Sequence, residues 1–346
     1  MVKVNRNELE SNLGFAGMLV KKSSIPGGDC FHFDGKGKVW AFNSFGSFVV
    51  VGGVGEGIKG AVLAEPFLSL LTKLNEDEVD FRVEGNELRV SCSNKEAGIL
   101  FRDYAEASES INEACNVFSS SSFFDDSGWT ALNENFLTFL DEAVGCVSKN
   151  IGSFVLECVH ITPEFIEACD GFQMVRFRLN TGFKDAFKDT LLSGEDCGLI
   201  VKFAPKEFKQ LDSWVVFRRD GMYFFVKKWE MHYVDLAELL NRDGVPIKLE
   251  VDIESAIERA SVFVDDLVWG IRVKLGKDSM ILESKGASGW YRESIPVRVD
   301  ISDSIEFDIG AKLFHRLVKC KEVLVCDKVL RVSKDGFDYV VGIKRA

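Results

Sequence analysis

The sequence predicts an α+β protein assembled from three repeats, each made of two halves in which a helix precedes a β-meander. Three observations predict it. A short strand recurs as Cys30-Phe-His-Phe33, Cys158-Val-His-Ile161 and Gly270-Ile-Arg-Val273, each after a helix-like stretch. Each is followed by a small polar turn, at Asn43-Ser44, Asp170-Gly171 and Ser284-Lys285. Apolar residues recur at helical spacing ahead of those strands, and a two-strand signature around a tight turn closes each third. Self-similarity on this scale dictates architecture, because each unit buries its apolar face against its neighbours.

Taken in order, the opening helices span Asn7 to Lys21, Glu134 to Lys149 and Ile253 to Val264. Phe136, Leu140, Val144 and Val147 lie on one face of the second, and Ile253, Ile257, Ala260 and Val264 on one face of the third. Shorter helices open the closing halves at Glu65 to Leu74, Pro205 to Leu211 and Ala311 to Val318. Pro66 and Pro205 fall in the first turn, where a missing N–H costs little. The hairpins follow at Val79 to Val90, Val215 to Val226 and Glu322 to Val332, with Glu84-Gly85-Asn86 and Asp220-Gly221 supplying the positive φ of a tight turn. Polar stretches at Ser119 to Ser122, Asp125 to Gly128 and Asn241 to Pro246 divide the chain into domains 1–126, 127–245 and 246–346.

Composition bounds the function. A chain of 346 residues, 46% hydrophobic and 28% charged, is a soluble globular protein of two or three domains. No apolar run approaches the roughly 20 residues that span a bilayer. The first residues lack a signal peptide's apolar core, so a cytoplasmic protein without membrane partners is expected. Nine scattered cysteines without a CxxC pair read as reduced, buried thiols. A net charge of −12 argues against coating nucleic acid with the whole surface, but leaves room for a local basic face.

Two segments carry a family resemblance. Phe165-Ile-Glu-Ala-Cys-Asp-Gly-Phe-Gln-Met174 looks like a strand that ends in Thr-Asp-Gly-His-Arg-Leu, and Tyr339-Val-Val-Gly-Ile-Lys-Arg-Ala346 looks like a Tyr-Val-Val-Met-Pro-Met-Arg-Leu tail. With the three repeats, the chain resembles the bacterial-type DNA sliding clamp, the DNA polymerase III beta subunit. The resemblance implies a DNA clamp fold with helices lining a ring and sheets outside. It implies a head-to-tail homodimer, closed by the first domain of one copy against the third of the other. Such a ring encircles double-stranded DNA without reading sequence and tethers the replicative polymerase. It also meets a clamp loader, binds both proteins through short peptide motifs, and needs no cofactor or catalytic residue. Phe172-Gln173 and Gly342-Ile343 depart from the family pattern and mark a divergent member, with phage encoding one reading.

Two sets of site residues follow. A sliding ring needs cations facing the duplex but no base-specific grip. Lys21, Lys22, Lys73, Lys149, Lys206, Lys209, Arg259, Lys312, Arg316 and Lys319 fall on the proposed inner helices, with Lys312, Arg316 and Lys319 at i, i+4, i+7. By position in the family, a partner-peptide pocket would use Ile151, Cys169, Gly171, Met174, Leu239, Val329, Val340, Val341, Gly342 and Ile343. For any one of these lysines a solvated helix face is the ordinary alternative, and for each aliphatic residue ordinary core packing.

Cys30/His32 and Cys158/His160 each face one side of a strand and could hold a metal. The third repeat has Gly270 and Arg272 there, which reads as inherited sheet packing, so no metal is expected. Gly52 to Gly60 lacks the Gly-Lys-Ser/Thr ending of a P-loop and reads as a mobile hairpin or an interdomain loop. No catalytic constellation emerges. The competing readings are a thiol- or metal-dependent enzyme on a repeated scaffold and a β-rich viral structural protein.

Overall fold

The computed structural model describes all residues except 1, 21–26, 103–110, 112–114, 116–117, 119–123, 125–126, 150–151, 180–186, 249–252, 266–268, 298, 321, 335 and 346. The first third runs β1 (Val2–Asn5), α1 (Arg6–Val20), β2 (Cys30–Lys36), β3 (Val39–Phe42), β4 (Phe48–Val51), β5 (Glu56–Leu63), α2 (Ala64–Lys73), β6 (Glu78–Glu84), β7 (Glu87–Cys92), β8 (Lys95–Arg102). The second runs β9 (Thr130–Ala131), α3 (Phe136–Val144), β10 (Cys158–Ile161), β11 (Phe165–Cys169), β12 (Gln173–Arg178), β13 (Thr190–Ser193), α4 (Gly194–Phe203), β14 (Glu207–Gln210), β15 (Trp214–Arg219), β16 (Met222–Lys227). The remainder runs α5 (Ala237–Leu240), β17 (Val245–Lys248), α6 (Ile253–Ser261), β18 (Ile271–Leu275), β19 (Ser279–Gly286), β20 (Gly289–Pro296), β21 (Ile305–Ile309), α7 (Ala311–Val318), β22 (Glu322–Val325), β23 (Val329–Lys334), β24 (Phe337–Gly342), β25 (Lys344–Arg345).

These elements form two compact units: Met1–Thr138 with Ala186–Lys188 and Glu195–Trp229, and Phe139–Asp185 with Asp189–Gly194 and Glu230–Ala346. The first unit holds a 12-stranded sheet in the order β1-β6-β7-β8-β5-β2-β3-β4-β16-β15-β14-β9. The second holds an eight-stranded sheet, β13-β10-β11-β12-β24-β23-β22-β17, and a five-stranded one, β20-β19-β18-β21-β25. Two repeat junctions are made by strand pairing. In the first unit β4 pairs antiparallel with β16, placing Val50 opposite Tyr223. In the second β12 pairs with β24, placing Arg176 opposite Asp338.

The sequence explains the packing at the first junction. Strands β3 and β4 read Val-Trp-Ala-Phe and Phe-Val-Val-Val, apolar on both faces, and every one of these residues is buried. Phe48 stacks on Phe225 across the junction, with ring centroids 4.4 Å apart, in a cluster that includes Trp40, Phe42, Val50, Phe118 and Val216. Each fully buried aromatic of this kind contributes about 2–3 kcal/mol of transfer free energy. Polar ties fix the adjoining turn. Asp196, fully buried in the first turn of α4, accepts hydrogen bonds from Asn43 Nδ2 at 2.7 Å and Ser47 Oγ at 3.0 Å.

Several expectations need correction. The helix expected over Pro205 to Leu211 lies earlier, at Gly194–Phe203, and the expected segment carries strand β14. Ala204 adopts φ +48° and ends the helix, so Pro205 is a stop signal and not a first-turn residue. Gly194 has a packing role: a Cβ there would meet Val147 Cγ2 at 2.8 Å and the Glu157 carbonyl at 2.9 Å. Helix α3 ends at Val144, short of Lys149, because Gly145 follows and Cys146 N–H turns back to the Ala143 carbonyl at 2.8 Å. Ser284-Lys285 lies inside β19, and the turn falls between Gly286 and Gly289. No described helix is long and apolar enough to cross a membrane.

Candidate functional site

In the second unit, a cleft of about 100 Å3 opens beside the β11–β12 turn. The turn is built by Asp170, whose Oδ1 accepts the N–H groups of Phe172 and Gln173, both at 2.8 Å. Gly171 takes φ +89°, which a side chain would resist. The next strand returns alongside β24, and Gly342 N–H donates to the Phe172 carbonyl at 2.7 Å, bringing the C-terminal segment to the turn.

Seven of the ten expected pocket residues line this cleft: Cys169, Gly171, Met174, Leu239, Val329, Val340 and Gly342. Met174, Val329 and Val340 also belong to a buried cluster with Leu236, Leu240 and Cys326, so the cleft floor is the roof of a core. Val341 and Ile343 are buried but do not line it, since alternate residues of a strand face opposite sides. Ile151 lies outside the described residues. Phe172 and Gln173 line the cleft and were not among the expected residues. Gln173 Oε1 accepts the Tyr339 hydroxyl at 2.6 Å, and burial pushes the Tyr339 phenol far above its usual range.

The expected DNA-facing cations are scattered in role. Lys21 and Lys22 lie outside the described residues. Lys73, Lys149, Lys312 and Lys319 are exposed. Lys206 and Lys209 are corrected: neither is on a helix, because the chain there enters β14. Lys206 Nζ pairs with Asp220 at 2.7 Å, and Lys209 Nζ donates to the Ser127 carbonyl at 3.3 Å. Arg259 on α6 is engaged by both Glu293 oxygens, each at 2.8 Å from Nη2. Arg316 on α7 points into its own unit. It pairs with Glu142 at 2.6 Å, donates to Cys146 Sγ at 2.9 Å and lies 4.9 Å from the Tyr339 ring centroid.

No family model and no curated protein matches the sequence. Solved structures do. The DNA polymerase III subunit beta from Pseudomonas aeruginosa superposes with a TM-score of 0.82 at 13% identity, over 99% of both chains. Caulobacter crescentus pol III beta gives 0.82 at 13%, again over 99% of both chains. A sliding clamp from Bartonella birtlesii gives 0.80 at 14%, over 100% of this chain and 99% of that one. The chain has the DNA sliding-clamp fold.

Within this clamp fold the two Cys/His pairs are packing elements. His32 is buried, with Nε2 2.8 Å from the Gly27 carbonyl oxygen. Burial pushes the neighbouring Cys30 thiol up to about 12. His160 is held by Glu167 and Asp189, with Nδ1 and Nε2 at 2.7 and 2.9 Å from their oxygens. Burial opposes a charge on His160, but these two hydrogen bonds and the charges of the same two carboxylates together raise the imidazole pKa. Among the described residues no group of three His, Cys, Asp or Glu side chains could hold a metal.

Proposed function

We propose that this protein is a DNA sliding clamp: two copies close head to tail around duplex DNA and tether the replicative polymerase. The observation that supports this most is the extent of the fold match, 99% of this chain over 99% of chains described as polymerase III beta subunits. A clamp needs no active site. It converts polymerase dissociation into sliding, because phosphate attraction is independent of sequence and nearly flat along the duplex.

The working parts are assigned accordingly. Domains 1–126, 127–245 and 246–346 are the three repeats. Lys73, Lys149, Lys312 and Lys319 supply exposed positive charge to the duplex, while Arg259 and Arg316 hold their own helices in place. The cleft beside Asp170-Gly171 receives extended peptides from the polymerase and the loader, with aliphatic side chains seated on Met174, Leu239 and Val340 and backbone groups at the rim.

Ring closure has a visible route. Strand β20 ends the five-stranded sheet, and, among the described residues, 95–100 of β8 pair with β7 on one side only. An unpaired sheet edge is a ready template for a second chain. β8 of one copy and β20 of another therefore pair, twice per dimer. In solution the particle is expected to have about twice the 38.7 kDa chain mass and to image as a six-lobed ring. A single-chain mass, or an open-ended polymer, would contradict the reading.

A further inference from the structure

We infer the register and chemistry of that junction between copies: Arg292 stands opposite Glu96, Glu293 opposite Lys95, and Trp290 lies over Gly98. The inference rests on the clamp reading and deepens it, and it is carried by the two junctions that the chain already makes with itself.

Equivalent positions can be followed strand by strand. His32, His160 and Arg272 share one place in the three repeats. They face Trp40, Glu167 and Glu283 on the next strand. Those residues in turn face Val50, Arg176 and Arg292. On the closing hairpins, Tyr223, Asp338 and Glu96 are each the second residue of their strand. Both internal junctions use one register: Val50 opposite Tyr223, and Arg176 opposite Asp338. The same register sets Arg292 opposite Glu96. Val51 with Met222, and Phe177 with Phe337, map onto Glu293 with Lys95. Phe48 with Phe225, and Met174 with Val340, map onto Trp290 with Gly98.

Charge independently selects the same register. Across the second unit's large sheet, His160, Glu167, Arg176 and Asp338 stand side by side with alternating sign. Across the small sheet, Asp308, Arg272, Glu283 and Arg292 also alternate, and the row stops at the open edge on a positive residue. The row is made of real contacts, with Arg272 Nε 2.9 Å from Asp308 and Arg292 Nε 3.4 Å from Glu283. Glu96 continues it with the sign that Asp338 supplies to Arg176. Directly opposed unlike charges favour a strand pair, and like charges oppose it. A two-residue slip in one direction would set Arg292 against Gly98, and in the other would set Trp290 against Glu96.

Shape agrees. Trp290 is 70% exposed and Leu100 51% exposed, both on the two open edges. Gly98 is exposed and adds no side chain of its own, the mobile end of Glu87 being the group nearest the place of a Cβ, and Leu100 lies diagonal to the indole within reach. Tryptophans in this setting dominate the affinity of an interface.

The test is charge exchange with a cross-link. Wild-type protein is expected at the two-chain mass. Glu96→Arg and Arg292→Glu should each weaken the dimer by about tenfold or more, and the two together should restore it to within about threefold. Under oxidation, Gly98→Cys with Trp290→Cys should link two chains, whereas Gly98→Cys with Arg292→Cys should not. A dimer unmoved by either single reversal, or linked only by the second cysteine pair, would overturn the register and leave the clamp reading standing. Wild-type protein at the single-chain mass would overturn both.

Discussion

Glu167→Ala is expected to cost about 3 kcal/mol of unfolding free energy, the range seen when one member of a buried charge network is removed. Glu167 is 2% exposed, and its two oxygens divide between His160 Nδ1 and the Arg176 guanidinium, each at 2.7 Å. Removing it leaves the Arg176 guanidinium and His160 Nδ1 in the sheet without the carboxylate they share. Arg176 keeps its place over the Phe165 ring, 4.3 Å from the centroid, and opposite Asp338. The urea midpoint should fall with its slope unchanged, and a loss below about 1 kcal/mol would show the network to be ornamental. Glu167→Gln, which keeps an acceptor, should cost less.

The same network sets a pH dependence. Folding raises the His160 pKa, so its charged form is bound more tightly in the native state. The stability it contributes is fully present below the unfolded value of about 6.5 and is lost as pH rises through the folded value. In Glu167→Ala that slope should shrink.

The second large effect concerns the cleft. Leu239→Asp is expected to weaken binding of an extended peptide with two leucine anchors by about a hundredfold, because burying a carboxylate without a partner costs several kcal/mol. Leu239 is half-buried on the short helix Ala237–Leu240, so the substitution can be solvated in the free protein and the fold should survive. Titration of such a peptide against wild type and variant, with unfolding curves alongside, separates the two effects. Unchanged affinity would place the peptide elsewhere.

What was legible in the sequence depended on whether the signal was local. Ala311–Val318 appears with its expected limits because its apolar and charged residues alternate cleanly at helical spacing. Gly85, Asp220 and Gly221 take the positive φ that their turns required. Helix α4 leaves little local signal, because Gly-Glu-Asp-Cys-Gly-Leu-Ile-Val-Lys-Phe carries two glycines and little periodicity, and Pro205, which suits a first turn, here marks a stop. At the site, Asp170-Gly171 and the C-terminal segment pointed to the cleft, yet Phe172 and Gln173 were passed over because they differ from the family pattern. The surroundings of the cations were illegible for a different reason. A sequence gives the charge of Lys206, Arg259 and Arg316 but not their partners, and Asp220, Glu293 and Glu142 meet them only through the fold.

The central claim is that the protein holds DNA by enclosing it. The most direct measurement loads the protein, with a clamp loader and ATP, onto a nicked circular plasmid and follows retention before and after the plasmid is cut once. The account predicts retention through a high-salt wash on the circle, since salt weakens phosphate contacts but not enclosure, and rapid loss from the free ends after cutting. Equal retention on circular and linear DNA, or loss of both at the same salt, would contradict it.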